Sequence, residues 1–165
     1  MTKLPFEISG LPFSALTEEQ QSFFIGDEYL PLPDSHDKQI ILLDKESAQR
    51  VKQYAASGLS NTHVGDLSRF PLLDEKLLRD KWDSASGVQN VRQWLHDLGV
   101  PYSRDVFLWY DQQVVATPWK LVVRYWDAFA WNVGVAMHAF DHTLSWVCEF
   151  HHEDVISFYA FPQEK

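Results

Sequence analysis

The C-terminal part of the chain alternates short apolar segments with polar turns, and this pattern constrains the fold more than any other feature. Five segments have the length and the β-branched and aromatic content of strands: residues 106–110, 114–116, 132–140, 144–150 and 155–161. The pair Thr117-Pro118 interrupts them and predicts a helix, with Thr117 as the N-cap and Pro118 as the first helical residue. The last three segments are joined by short polar turns, which predicts an antiparallel meander.

The order β-β-α-β-β-β over 106–161 predicts an α+β fold with helices on one face of an antiparallel sheet. A chain of 165 residues has the length of one domain and can bury a sizeable core. We therefore predict a single domain over 1–165. Within it, 44–98 is expected to be mainly helical, and 1–40 is expected to be irregular and acidic because prolines interrupt its periodicity.

Capping signals place the helices of the N-terminal half. Thr17 and Gln20 have the spacing of a capping box, and Asp44 is a suitable N-cap for the helix that follows it. The predicted helices span 17–24, 44–58, 74–82 and 86–98, and a loop is predicted for 58–71. Gly99 follows the last of these helices and predicts its end.

The charge distribution favours one class of partner and argues against another. The chain has 23 acidic and 14 basic residues, a net charge of −9, and no lysine or arginine from residue 4 to 37 or from 125 to 164. Nucleic-acid affinity comes largely from lysine and arginine, so we expect no nucleic-acid partner. A basic protein suits this charge because complementary fields speed encounter. The simpler interpretation is that the charge provides solubility alone.

All seven tryptophans lie between Trp82 and Trp146. Most of these rings are expected in the core, since a layer of sheet and helix needs large side chains. Trp131, after the predicted helix, is expected to be partly exposed, and exposed aromatics among carboxylates are typical of protein-binding surfaces. A pocket lined by tryptophans for a small ligand is a further alternative.

The histidines suggest a second function. His138 and His142 lie near Asp141, and Asp127 is a further carboxylate, so a metal site or an acid–base pair is an alternative hypothesis. The turns at 141–143 and 151–154 should lie at opposite ends of one strand, which leaves His138 and His142 with few further ligands. We therefore predict no metal, no cofactor and no catalytic residue.

No sequence motif specifies a reaction. The nucleophile elbow G-x-S-x-G, the dinucleotide fingerprint G-x-G-x-x-G and the Walker sequence are all absent from the chain. The single cysteine, Cys148, lies within an apolar strand pattern and is expected to be a small buried residue. The first residues lack the apolar stretch of a signal peptide, and no apolar run has the length of a membrane span. We therefore expect a cytoplasmic protein without a membrane partner.

The stretch from 106 to 161 contains VFLWYD, VVATPW, RYWDAFAW, HAFD and VCEFHHEDVISFY. It resembles the C-terminal half of a family of small, acidic, uncharacterised bacterial proteins and, more loosely, several polymorphic-toxin immunity families. The matching positions are Tyr110, Asp111, Thr117, Trp119, Arg124, Trp126, Phe129, Asp141 and Phe158. The immunity families often carry paired acids before the first turn of the meander, and the segment 130–134 has none. The resemblance implies binding of a cognate toxin without catalysis.

Charge and resemblance together predict a protein-binding module, an immunity or inhibitor protein that blocks a basic toxin or enzyme. Electrostatic steering would bring the partner to an acidic surface, and a few aromatic side chains would anchor it. The predicted partner-binding residues are Asp127, Trp131, Asp141, Glu149, Glu153 and Asp154.

Overall fold

The computed structural model describes residues 4–59, 71–78, 84–131, 134 and 136–160. The strands are β1 Gly10–Pro12, β2 Ile41–Leu43, β3 Leu72–Leu77, β4 Asp105–Trp109, β5 Val114–Pro118, β6 Ala136–Phe140, β7 Trp146–His151 and β8 Val155–Ala160. The helices are α1 Glu18–Ile25, α2 Asp34–Asp37, α3 Lys45–Leu59, α4 Ala85–Asp97 and α5 Trp119–Phe129.

The eight strands form one antiparallel sheet in the order β1-β2-β5-β4-β6-β7-β8-β3. The predicted α+β class is confirmed, and so is the meander, because β6, β7 and β8 are consecutive neighbours. The C-terminal strands occupy the centre of the sheet. The short N-terminal strands β1 and β2 extend one edge, and β3 forms the other.

Helices cover both faces of the sheet. Alternate strand residues point to opposite faces, and the core is divided accordingly: Leu108 packs with α1, α4 and α5, whereas its neighbour Phe107 packs with α3. The expectation of helices on one face is therefore correct for α1, α4 and α5 and wrong for α3. Val51 and Ala55 belong to the apolar side of α3 that packs against this face.

The capping predictions are confirmed at the start of two helices. The Thr17 hydroxyl accepts a hydrogen bond from the backbone of Gln20, and the Gln20 side chain accepts one from the backbone of Thr17, which completes the capping box of α1. Asp44 accepts from the backbone of Ser47 at 2.7 Å at the start of α3. At the end of α4, Gly99 has a φ of 80°, a conformation that favours glycine.

One prediction for the N-terminal half is wrong. The segment 74–82 does not start a helix, because residues from Leu72 to Leu77 pair with β8 as an edge strand. Pairing with a distant strand decided the conformation against weak local signals. In the segment 1–40, the described residues contain the predicted helix as α1, together with the short elements β1 and α2. Most of the predicted loop 58–71 lies outside the described residues.

The helix after β5 begins later than predicted. Thr117 pairs with Val106 inside the sheet, and the ladder continues to Pro118 opposite Asp105. Pro118 is the N-cap of α5, and no side chain caps this end. Continued pairing with β4 therefore displaced the expected threonine cap.

Candidate functional site

One end of the sheet carries the most exposed aromatic side chain of the described residues. The Tyr110 hydroxyl, at the end of β4, donates a hydrogen bond to the carbonyl of Phe129 at 2.9 Å and fixes the end of α5 there. The chain leaves the helix at Trp131, whose surface is 71% exposed. An indole ring this exposed contributes little to folding and offers a large anchor to a partner.

Several acidic residues lie at the same end of the sheet. His151 pairs with Ala136 at the start of β6, so the turn that contains Glu153 and Asp154 follows at this end. Asp111 lies in the β4–β5 turn, and all three acidic residues are exposed. Phe23 of α1, 40% exposed, lies 6.3 Å from the ring of Tyr110. We call Phe23, Asp111, Trp131, Glu153 and Asp154 the acidic end.

Asp127 was predicted to bind a partner, but its carboxylate faces the protein. The Tyr29 hydroxyl donates a hydrogen bond to Asp127 Oδ2 at 2.6 Å, and Arg92 donates to the same hydroxyl at 3.1 Å. Burial and the neighbouring Asp127 carboxylate raise the pKa of Tyr29 above its ordinary value. These two hydrogen bonds connect the 27–29 turn with α4 and α5, so Asp127 has a structural role.

Asp141 is also withdrawn from the surface, with only 2% of its area exposed. Its Oδ2 accepts hydrogen bonds from Arg104 at 3.0 Å and from the Trp146 indole at 3.1 Å. Its Oδ1 accepts from the backbone and hydroxyl of Thr143. Both oxygens are engaged, so the prediction of Asp141 as a surface contact is wrong in this structure. The aspartate instead fixes the β6–β7 turn against the start of β4.

Glu149 belongs to a row of polar side chains that crosses four strands. The row lies on the face of the sheet against which α3 packs at another place. His138, Glu149, Ser157 and Glu75 are successive partners across β6, β7, β8 and β3. His138 Nε2 lies 2.9 Å from Glu149 Oε2, and this hydrogen bond holds the pKa of Glu149 below its ordinary value. Both side chains are largely buried. Glu149 is therefore a paired internal carboxylate, outside the acidic end.

The alternative metal site is not assembled. Within the ranges that the structure describes, no three histidine, cysteine, aspartate or glutamate side chains are grouped as metal ligands. His138 is paired with Glu149, Asp141 is paired with Arg104, and the carbonyl of His142 accepts a hydrogen bond from Tyr54 at 2.6 Å. His138, His142 and Asp141 thus each contact a different residue and do not converge on one point.

Cys148 and three of the six described tryptophans are buried in the core. Cys148 is fully buried, and burial raises the pKa of its thiol above the ordinary value, as expected for an inert residue. Trp119 and Trp126 are also fully buried, and Trp146 is nearly so. These rings belong to the core between the sheet and α5.

Sequence reasoning missed a group of basic residues beside α5. Arg92 of α4 and Lys120 and Arg124 of α5 line a single cleft of about 480 Å³. The signal was present in the sequence, because Lys120 and Arg124 are four residues apart in a predicted helix and so share one of its sides. The overall acidity of the chain instead favoured the carboxylates as candidate binding residues.

No family model matches the chain, and no curated protein or solved structure matches it. The structure therefore defines its class by architecture alone, an α+β domain with an eight-stranded antiparallel sheet. Of the helices in the described ranges, none has the length and apolar character needed to cross a bilayer.

Proposed function

We propose that the protein is a binding module that occludes a basic protein, as an immunity or inhibitor protein does in the cytoplasm, and has no catalytic role of its own. The observation that carries the proposal is the exposure of Trp131, 71% of its surface, at an end of the sheet that also presents Glu153 and Asp154. A large exposed ring beside exposed carboxylates matches the composition of protein-binding surfaces.

The acidic end suits a two-step association. A net charge of −9 attracts a basic partner over distances of about the Debye length, roughly 10 Å at 0.1 M salt. Asp111, Glu153 and Asp154 then orient it. Trp131 and Phe23 lose their exposed apolar surface on contact and supply the anchors. Occlusion follows if the contacted surface of the partner is its own basic active site.

Charge reversal at the acidic end tests the proposal. The tagged protein is used for affinity capture from the lysate of its own cells, in about 50 mM and about 500 mM salt. We expect one stoichiometric basic protein at low salt, much less of it at high salt, and much less with the double variant Asp111→Lys/Glu153→Lys. With the purified partner, Trp131→Ala should weaken binding by about 2 kcal/mol, roughly 30-fold, measured by calorimetry.

The matched control is Asp34→Lys/Asp105→Lys, which changes the net charge by the same amount. Both acids are exposed, and Asp105 begins β4 at the opposite end of the sheet. The control should bind almost as well as the unmodified chain. A partner that is acidic, or one whose binding ignores salt, Trp131→Ala and the double reversal, contradicts the proposal.

A further inference from the structure

The cleft beside α5 is built from three helices and one connecting segment. Arg92 and His96 lie one turn apart on α4, and Lys120 and Arg124 lie one turn apart on α5. His36 of α2 and Tyr102, from the segment after α4, also line it, and Leu121 and Val123 add apolar lining. We call Arg92, His96, Lys120, Arg124 and His36 the cationic cleft.

Positive charge in this cleft is not balanced locally. Among the described residues that line it there is no aspartate or glutamate, although acidic residues outnumber basic ones in the chain. Arg92 is tied to a carboxylate indirectly, through the Tyr29 hydroxyl that contacts Asp127. Lys120 and Arg124, both exposed, form no salt bridge with any acidic residue of the described ranges.

The positive charge of the cleft affects the pKa of His36. Its Nδ1 lies 2.6 Å from the Tyr125 hydroxyl, next to α5. Its pKa is lowered from the ordinary value, first by burial and then by the positive charges of Arg124 and Lys120.

We propose that the cationic cleft binds a small, multiply charged anion, one that carries a phosphate group or several carboxylates. Guanidinium groups donate paired hydrogen bonds to both kinds of oxyanion, and Lys120 adds a mobile ammonium group. The volume of about 480 Å³ is that of a small-molecule site, larger than inorganic phosphate requires. The Tyr102 ring, 46% exposed and 5.1 Å from the ring of His96, provides an aromatic wall for the organic part.

Calorimetry with pyrophosphate, ADP and citrate tests the site and distinguishes the sources of its anion. We expect saturable binding of at least one of the three, with one anion per chain. Tighter binding of ADP than of pyrophosphate would assign the ligand to phosphate esters with a ring, and tighter binding of citrate would assign it to polycarboxylates. The proton resonances of His36 provide a local readout, because a bound anion should raise its pKa.

The double variant Lys120→Gln/Arg124→Gln should weaken binding at least about tenfold, because two charge-assisted contacts are lost. Both side chains are exposed, so folding should be unaffected. The control Lys45→Gln/Arg50→Gln removes the same charge from α3, on the opposite face of the sheet, and should bind normally. The proposal is overturned if none of the three anions binds, or if the variant and the control weaken binding equally.

Discussion

At the scale of single residues, the polar atoms that the fold buries matter more than those it exposes. The predicted partner-binding residues separate on this basis: Glu153 is on the surface, whereas Asp141 and Glu149 are paired inside. A buried polar atom without a partner costs about 1 to 3 kcal/mol. Thr117 Oγ1 is such an atom, buried and without a hydrogen bond to the described residues.

Replacing Thr117 with valine should therefore stabilise the protein by about 1 kcal/mol, since the two side chains have the same shape and valine has no hydroxyl to bury. Urea unfolding measures the change. A threonine that capped α5, as the sequence suggests, would give the opposite sign. Thr117→Ser keeps the hydroxyl and should not stabilise.

The lowered pKa of Glu149 makes stability depend on pH. A carboxyl group whose pKa is lower in the folded than in the unfolded state stabilises the fold above the unfolded value, about 4.3, and loses that effect as the pH falls through the folded value. We expect Glu149→Gln to lose stability at pH 7 and to flatten the acid side of the stability profile. Urea unfolding between about pH 3 and 7 measures it. The exposed Glu153→Gln serves as control, and identical profiles for Glu149→Gln and the unmodified chain would refute the expectation.

Asp141→Asn should destabilise the protein by about 2 to 4 kcal/mol, because it removes the charge that pairs with Arg104 and accepts from Trp146 inside the fold. The side chain of Arg104 is 33% exposed, so water offsets part of the loss. Thermal unfolding provides the measurement, with the exposed Asp105→Asn as control. Equal melting temperatures for the two variants would remove the structural role assigned to Asp141.

At the scale of elements, sequence patterns correctly predicted the features that depend on residues close together in the chain. The capping box of α1, the cap of α3, the span of α4 and the C-terminal meander depend on contacts within a few residues, and all are present. The strands β1, β2 and β3 were missed because each is short or polar and forms only against a partner far away in sequence.

The candidate site was predictable only in part. Trp131, Glu153 and Asp154 are exposed as expected, since turns and helix ends are surface features of any fold. The burial of Asp141 could not be predicted, because its partner Arg104 comes from another part of the chain. The cationic cleft depends in the same way on the packing of α4 against α5.

The capping box gives a prediction for one element. Thr17→Ala should destabilise the protein by about 1 kcal/mol, because the first turn of α1 loses a hydrogen-bond acceptor. The effect reaches the whole protein because α1 contributes Phe24 to the core. Thr17→Ser keeps the hydroxyl and should change little. Chemical denaturation of the two variants compares them, and a similar loss in both would assign the effect to packing of the threonine methyl.

At the scale of the whole molecule, two surfaces of opposite sign coexist in an acidic chain. The acidic end lies where α5 ends, whereas Lys120 lies at the beginning of this helix. Each helical residue between them adds about 1.5 Å to the distance that separates the two surfaces. A basic protein and a small anion could therefore bind at the same time. Their variants report on different surfaces, because Asp111→Lys/Glu153→Lys leaves the cleft intact.

A fragment of residues 1–104 should remain unfolded. It contains β1, β2 and β3 but lacks the central strands of the sheet. In this fragment β1 can still pair with β2, whereas β3 has lost the strand with which it pairs in the whole protein. Limited proteolysis and circular dichroism should show rapid digestion and little structure. A cooperative unfolding transition in the fragment would contradict this expectation.

The order of strands also has a consequence for the protein as it is made. A ribosome releases the chain from its N-terminus, and the strands at both edges of this sheet therefore emerge before any strand of its centre. The apolar side of α3 packs against residues of β4 to β7, so it must wait for the last sixty or so residues to be translated, at about 5 to 20 residues per second. For those seconds we expect the nascent chain to expose apolar surface that it cannot yet bury, a kind of surface that chaperones at the ribosome bind.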